Sequence, residues 1–192
     1  MEDSLPLITD ESLVTRVVEG DTDAFGLLMK RYTPKLMRYG SRFLSRPENI
    51  EDIVQDVFLK TYQNLQSFDL ERKFSPWIYR IAHNEFVNAL RKTSKEPIPV
   101  FDLDLLSSHP VHEDQMEERK EQEADRVLVE KGVETLSAAY REIVTLHYFE
   151  DLSYQEIAEV LHIPLGTVGV RLRRAREALK KQLSAELSKQ TL

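Results

Sequence analysis

The sequence predicts an all-α protein of two small helical domains joined by an acidic flexible linker. Three observations carry that prediction. Apolar residues recur at three- and four-residue spacing through most of the chain, and strand-like alternation is absent. Between residues 94 and 125 this periodicity gives way to Pro97, Pro99 and Pro110 and an acid-rich run. Beyond it, two helical segments joined by a tight turn have the dimensions of a helix-turn-helix. The expected division is a tail over 1–10, a first domain over 11–93, the linker over 94–125, a second domain over 126–186 and a tail over 187–192.

In the first domain, Leu13, Val14, Val17 and Val18 form one amphipathic stripe before Gly20, and Ala24, Phe25, Leu28, Met29 and Tyr32 form a second after Asp21. Thr33-Pro34 predicts a fresh helix leading to Leu36, Met37, Gly40, Phe43 and Leu44, because a proline at the first helical position gives up no needed hydrogen bond. Ser45-Arg46-Pro47-Glu48 predicts another, with Ser45 as the cap, ahead of Ile50, Ile53, Val54, Val57, Phe58, Thr61 and Leu65. After a loop over 67–74, Ser75-Pro76 opens a helix whose apolar face is Trp77, Ile78, Ile81, Ala82, Phe86, Ala89 and Leu90.

The second domain starts near Arg126 with Val127, Leu128, Val133 and Leu136 and continues through Tyr140, Ile143, Val144 and Tyr148. It breaks at 150–153, resumes from Tyr154 to Leu161 and turns at His162-Ile163-Pro164. A long helix follows, with Val168, Leu172, Ala175, Leu179 and Leu183 on one face.

Composition excludes several functions. With zero cysteines there is no disulfide, thiolate nucleophile or Cys-based zinc site. The five histidines show no metal spacing beyond a weak His109-x-x-His112 in the linker, and neither a glycine-rich phosphate loop nor a nucleophile motif is present. Neither an enzyme site nor a cofactor is expected. No window is long and apolar enough for a membrane span, and Met1-Glu2-Asp3-Ser4 lacks the basic start of a secretory signal, so no membrane insertion and a cytoplasmic location are expected.

The net charge of −7 conceals an uneven distribution. Residues 1–94 sum to −1, residues 95–125 to −7 and residues 126–192 to +1. Within 171–181, Arg171, Arg173, Arg174, Arg176, Lys180 and Lys181 face a single Glu177, which suits a phosphate-binding helix.

Three segments carry candidate chemistry. In the helix-turn-helix pattern, Ser153 through Ala158 and Thr167-Val168 bracket a turn, and the second helix would offer Arg171 and Arg174, then Arg176 and Lys180, to a major groove. An ordinary helical hairpin with a solvated basic face has the same pattern. The run Phe74-Ser75-Pro76-Trp77-Ile78-Tyr79-Arg80-Ile81-Ala82-His83-Asn84 mixes aromatic, basic and amide groups suited to unpaired DNA bases and phosphates. Core packing competes for Phe74, Trp77 and Ile81, leaving Arg80, His83, Asn84 and Asn88 as the better DNA candidates. Glu51, Asp52, Gln55 and Asp56 share the polar side of an amphipathic helix, where acids near a helix start are also expected from the macrodipole.

Taken in order, these segments resemble the extracytoplasmic-function group of sigma-70-type sigma factors. Gly20-Asp21 to Ala24-Phe25, Glu51 to Phe58 and Phe74 to Asn84 resemble that group's region 2. Leu152 to Ala158, Pro164 to Val168, and the following Arg171, Arg174-Ala175-Arg176 and Leu179 resemble its region 4. The resemblance covers almost the whole chain. It implies an alternative sigma factor that directs promoter-specific initiation by binding rather than catalysis, partnered by core RNA polymerase, promoter DNA and an anti-sigma factor.

The site residues follow by position. Glu51, Asp52, Gln55, Asp56 and Phe58 would dock on the polymerase's beta and beta-prime subunits. Lys73, Phe74, Trp77, Arg80, His83, Asn84, Asn88 and Arg91 would melt and read the −10 element. Thr167, Arg171, Arg173, Arg174, Arg176 and Lys180 would read the −35 element as duplex. The stretch from Thr93 to Asp125 extends to at most roughly 110 Å, enough to span elements about 70 Å apart.

Two departures from the group's pattern stand out. Gly169 and Val170 occupy positions where a basic residue and a serine are usual, and Leu136-Ser137-Ala138 replaces a Leu-Pro start, with Ser137 able to cap. Gly169 keeps open a second reading, a sigma-like mimic that titrates an anti-sigma factor without starting transcription. A plain helix-turn-helix repressor would explain neither the linker nor the Trp77 segment.

Overall fold

The computed structural model describes residues 8–93 and 132–190, and every regular element among them is helical. The chain forms two compact units, Met1–Pro97 and Ile98–Leu192. The linker expected over 94–125, the second domain's opening at 126–131 and residues 1–7 lie outside the described residues.

The first unit contains α1 (Asp10–Val18), α2 (Thr22–Gly40), α3 (Pro47–Asn64) and α4 (Phe74–Thr93), with a 3-10 turn at Leu65–Ser67. Local chemistry sets the break between α1 and α2. Gly20, at φ +104°, donates its N–H to the Val17 carbonyl at 3.0 Å, and Asp21 donates to the Arg16 carbonyl at 2.9 Å, which closes the last turn of α1. The Asp21 side chain then accepts from the N–H groups of Asp23 and Ala24 at 3.0 and 3.2 Å and caps α2.

Helix α2 is one element where two were expected. It continues through Pro34, which cannot bond back to the preceding turn. Tyr32, Leu36 and Tyr39, all fully buried, hold both halves against the core and offset the roughly 3 kcal/mol that an interior proline costs. Thr33 donates its hydroxyl to the Met29 carbonyl at 2.7 Å instead of capping a new helix. Ser45 is not a cap either: Arg46 occupies the capping position without a side-chain bond, and Pro47 leads α3.

Helix α1 packs on α2 and α4, and α3 packs on the same two helices. The core between them is rich in aromatics. Tyr39 meets Tyr79 edge-on at 5.4 Å and Phe86 at 6.0 Å, while Phe43 stacks on Phe86 at 5.3 Å. Tyr32 meets Phe74 edge-on at 5.3 Å. Gly40 is required for this packing, since a Cβ there would stand 2.5 Å from Ile50 Cγ2 and from Phe86 Cζ.

The second unit contains a 3-10 turn at Val133–Thr135, then α5 (Ala138–Val144), a π-helical turn at Thr145–Phe149, α6 (Tyr154–Leu161) and α7 (Leu165–Gln190). Ser137 stands at the start of α5, but its side chain makes no capping bond. Helix α6 is fixed at both ends. Ser153 Oγ accepts from the Glu156 N–H at 3.3 Å while Glu156 Oε2 accepts from the Ser153 N–H at 2.7 Å. His162, at φ 53°, ends the helix in the left-handed region, and Ile163 donates to the Ala158 carbonyl at 3.2 Å. Helix α7 runs to Gln190, through most of the segment expected as a tail. Its buried Val168, Leu172, Ala175 and Leu179 form a core with Ile143, Val144, Ile157 and Val160. No helix among the described residues is long and apolar enough to cross a membrane.

Candidate nucleic-acid interface

The amphipathicity of α3 sorts its residues by side. Ile50, Val54, Val57, Phe58 and Thr61 are buried, and Glu51, Asp52, Gln55 and Asp56 are exposed. The four polar candidates therefore share an acidic outer face. Phe58 lies on the opposite, core-facing side: it is 4% exposed and meets Phe25 edge-on at 6.4 Å. A helix turns 100° per residue, so Phe58 lies on the side of Val54 and Thr61. The outward apolar positions are Leu59 and Tyr62, 56% and 46% exposed, which sequence reasoning missed although Leu59 follows Gln55 by four residues. Lys60 ties this helix to α4 through Glu85 at 2.6 Å.

On α4, Trp77, Arg80, Asn84, Asn88 and Arg91 follow one another at spacings of three and four, so they form one stripe along the helix. Asn84, Asn88 and Arg91 are exposed, Trp77 and Arg80 are half-buried, and Lys73 is exposed just before the helix starts. Phe74 is fully buried against Tyr32 and Phe68, because the first turn of α4 packs inward at that position. His83 sits beside the stripe, with its Nδ1 3.2 Å from the Tyr39 hydroxyl and its ring 6.3 Å from that of Phe43.

On α7, Arg173 and Lys180 are exposed, and Thr167, Arg174 and Arg176 are half-buried. Lys181, which the sequence reading left out of the site, is exposed seven residues after Arg174 and thus on the same side. Arg173 lies 3.9 Å from Glu177 in an exposed pair that holds neither side chain firmly. Arg171 also turns inward. It is 7% exposed, and its Nε finds no hydrogen-bond partner among the described residues. Position 171 lies three residues after Val168 and four before Ala175, both fully buried, so the helix turns Arg171 toward the core. Gly169 is buried within an unbroken helix.

The chain matches the sigma-70 region 2 family over residues 28–96 and the sigma-70 region 4 family over residues 126–179. It is 36% identical over 183 residues to the ECF RNA polymerase sigma factor SigW of Bacillus subtilis, a match covering 88% of this chain and 94% of the relative. The chain belongs to the ECF sigma factors. A second relative of this family, the ECF RNA polymerase sigma-E factor of Escherichia coli, is 35% identical over 92% of this chain and 95% of its own length. Among solved structures, this sigma factor is similar to CnrH in complex with the cytosolic domain of CnrY, with a TM-score of 0.62 and 26% identity over 92% of this chain and 97% of that one. It is also similar to the sigma factor RpoE in complex with the anti-sigma factor NepR from Bartonella quintana, with a TM-score of 0.58 and 26% identity over 83% and 96% of the two chains. The region 2 match contains most of α2 and all of α3 and α4, and the region 4 match contains α5, α6 and most of α7.

Proposed function

We propose that this ECF sigma factor binds core RNA polymerase through the outer face of α3 and reads the two promoter elements with two separate helices. Glu51, Asp52, Gln55 and Asp56, extended by Leu59 and Tyr62, form the polymerase-binding face. The α4 stripe of Trp77, Arg80, Asn84, Asn88 and Arg91, with Lys73 and His83 at its border, contacts the melted −10 strand. The part of the Trp77 ring left exposed offers a stacking surface, the cations hold phosphates and the amides reach base edges. In the second unit, Thr167, Arg173, Arg174, Arg176, Lys180 and Lys181 of α7 contact the −35 duplex, where arginines pair with guanine edges and lysines with phosphates. The protein acts by binding and catalyses no reaction of its own.

The observation that carries this reading is the pairing, in one chain and in this order, of an acidic helix, an amide-and-arginine helix and a basic helix-turn-helix. An anti-sigma factor controls the protein by covering the same faces. The complex of the similar RpoE with NepR supports this regulation. The intact region 2 segments, Glu51 to Phe58 and Phe74 to Asn84, favour an initiating factor over a titrating mimic.

The test adds the purified protein to core polymerase with genomic fragments and looks for run-off transcripts that core polymerase alone does not make. Discrete, promoter-dependent transcripts are expected. Binding to core polymerase without transcripts would point to the mimic, and no binding to core would overturn the reading.

A further inference from the structure

Helix α1 has no part in the interfaces above, yet its first two residues reach the first turn of α4, Glu11 directly and Asp10 through the Tyr32 hydroxyl. Glu11 Oε1 accepts from the Phe74 backbone N–H at 3.1 Å, across 63 residues of sequence. Asp10 accepts from the Tyr32 hydroxyl at 2.6 Å, and Ser75 hydrogen-bonds to that same hydroxyl. Arg31 pairs with Asp10 and donates to the Ile8 carbonyl at 2.9 Å, which ties the front of α1 to α2. Burial and the Asp10 carboxylate push the Tyr32 phenol far up, so it remains a neutral donor.

The start of α4 needs outside help. A helix leaves its first N–H groups without internal partners, and Lys73, in the preceding position, carries no acceptor that could cap them. Pro76 has no N–H to offer, so Glu11 satisfies the leading donor of this turn, and its negative charge faces the positive end of the helix dipole. Phe74, so anchored, packs on Phe68 at 6.0 Å and Trp77 at 5.8 Å, and Phe68 meets Trp77 at 5.0 Å. These contacts span the loop between Ser67 and Phe74 that leads into the proposed −10 stripe.

We infer that Glu11 is a positioning residue for promoter reading: its carboxylate fixes the first turn of α4, and with it Lys73 and Trp77, while touching no DNA itself. This rests on the assignment of α4 to the −10 element. It predicts that a residue far from α4 in sequence controls −10 recognition and leaves core-polymerase binding unchanged.

The experiment compares Glu11→Ala and Glu11→Gln in the full chain. Trp77 is the only tryptophan, so its emission reports on the turn directly, and amide exchange of Phe74 reports on the hydrogen bond. Glu11→Ala is expected to shift the Trp77 emission, speed Phe74 exchange and weaken holoenzyme binding to −10 fork DNA on the order of 10-fold, with core-polymerase affinity unchanged. Glu11→Gln keeps an acceptor oxygen and is expected to recover most of the loss. Unchanged Phe74 exchange and Trp77 emission in Glu11→Ala would overturn the inference, as would equal losses of core-polymerase and −10 binding. A changed turn with wild-type −10 binding would overturn the link to DNA. If wild-type protein shows no −10 binding at all, the assignment of α4 fails, while the exchange data still decide whether Glu11 sets the turn.

Discussion

The two units hold their functional helices by different means. In the first, the start of α4 is fixed by Glu11 and Tyr32 from other helices, and the helix body by an aromatic cluster of Tyr39, Phe43, Tyr79 and Phe86. In the second, α6 and the turn into α7 are set by neighbours in sequence, namely the Ser153–Glu156 capping box and left-handed His162. Contacts distant in sequence therefore shape the proposed −10 surface, and turn chemistry shapes the proposed −35 surface. The first arrangement transmits damage from anywhere in the unit, while the second confines it.

The largest effect should come from breaking the aromatic cluster. Phe86→Ala removes a fully buried ring and is expected to cost about 3–5 kcal/mol, unfolding the first unit while the second keeps its helicity. Urea unfolding followed separately by Trp77 emission and by total helix signal checks this, and simultaneous loss of both units would break the comparison. Gly40→Ala should act in the same unit by crowding Ile50 and Phe86, at about 1–3 kcal/mol. It is measured in the same way.

Ser153→Ala sharpens the comparison from the other side. Loss of the capping box is expected to cost about 1 kcal/mol, to weaken −35 duplex binding and to leave Trp77 emission unchanged. The smallest effect concerns pH. The Asp21 carboxyl is held below its ordinary 3.8, first by the Arg16 hydrogen bond and then by the Ala24 N–H. A depressed carboxyl stabilises the fold above its unfolded value and loses that contribution as pH falls through its folded value. The stability gap between wild type and Asp21→Asn should therefore be present at neutral pH and close as the pH drops below 3.8.

The same contrast explains what was legible in the sequence. Gly20-Asp21 and the break at 150–153 were readable because the signals are local, and the helical class followed from periodicity. Pro34 misled because buried tyrosines on both sides outweigh a local breaker. The inward placement of Phe58 and Arg171 was not legible from residue type, because their chemistry suits an interface while their helical phase points to the core. The role of Glu11 left no sequence signal, since its partner lies 63 residues away and is a backbone N–H.

The division of labour between the units is tested most directly by measuring transcription from a promoter varied at every base of both elements, using Asn84→Ala and Arg174→Ala holoenzymes beside wild type. Asn84→Ala should relax base preference in the −10 element alone and Arg174→Ala in the −35 element alone, each by about 1–3 kcal/mol at the affected position. Preferences that change in the same element for both variants, or in neither, would contradict it.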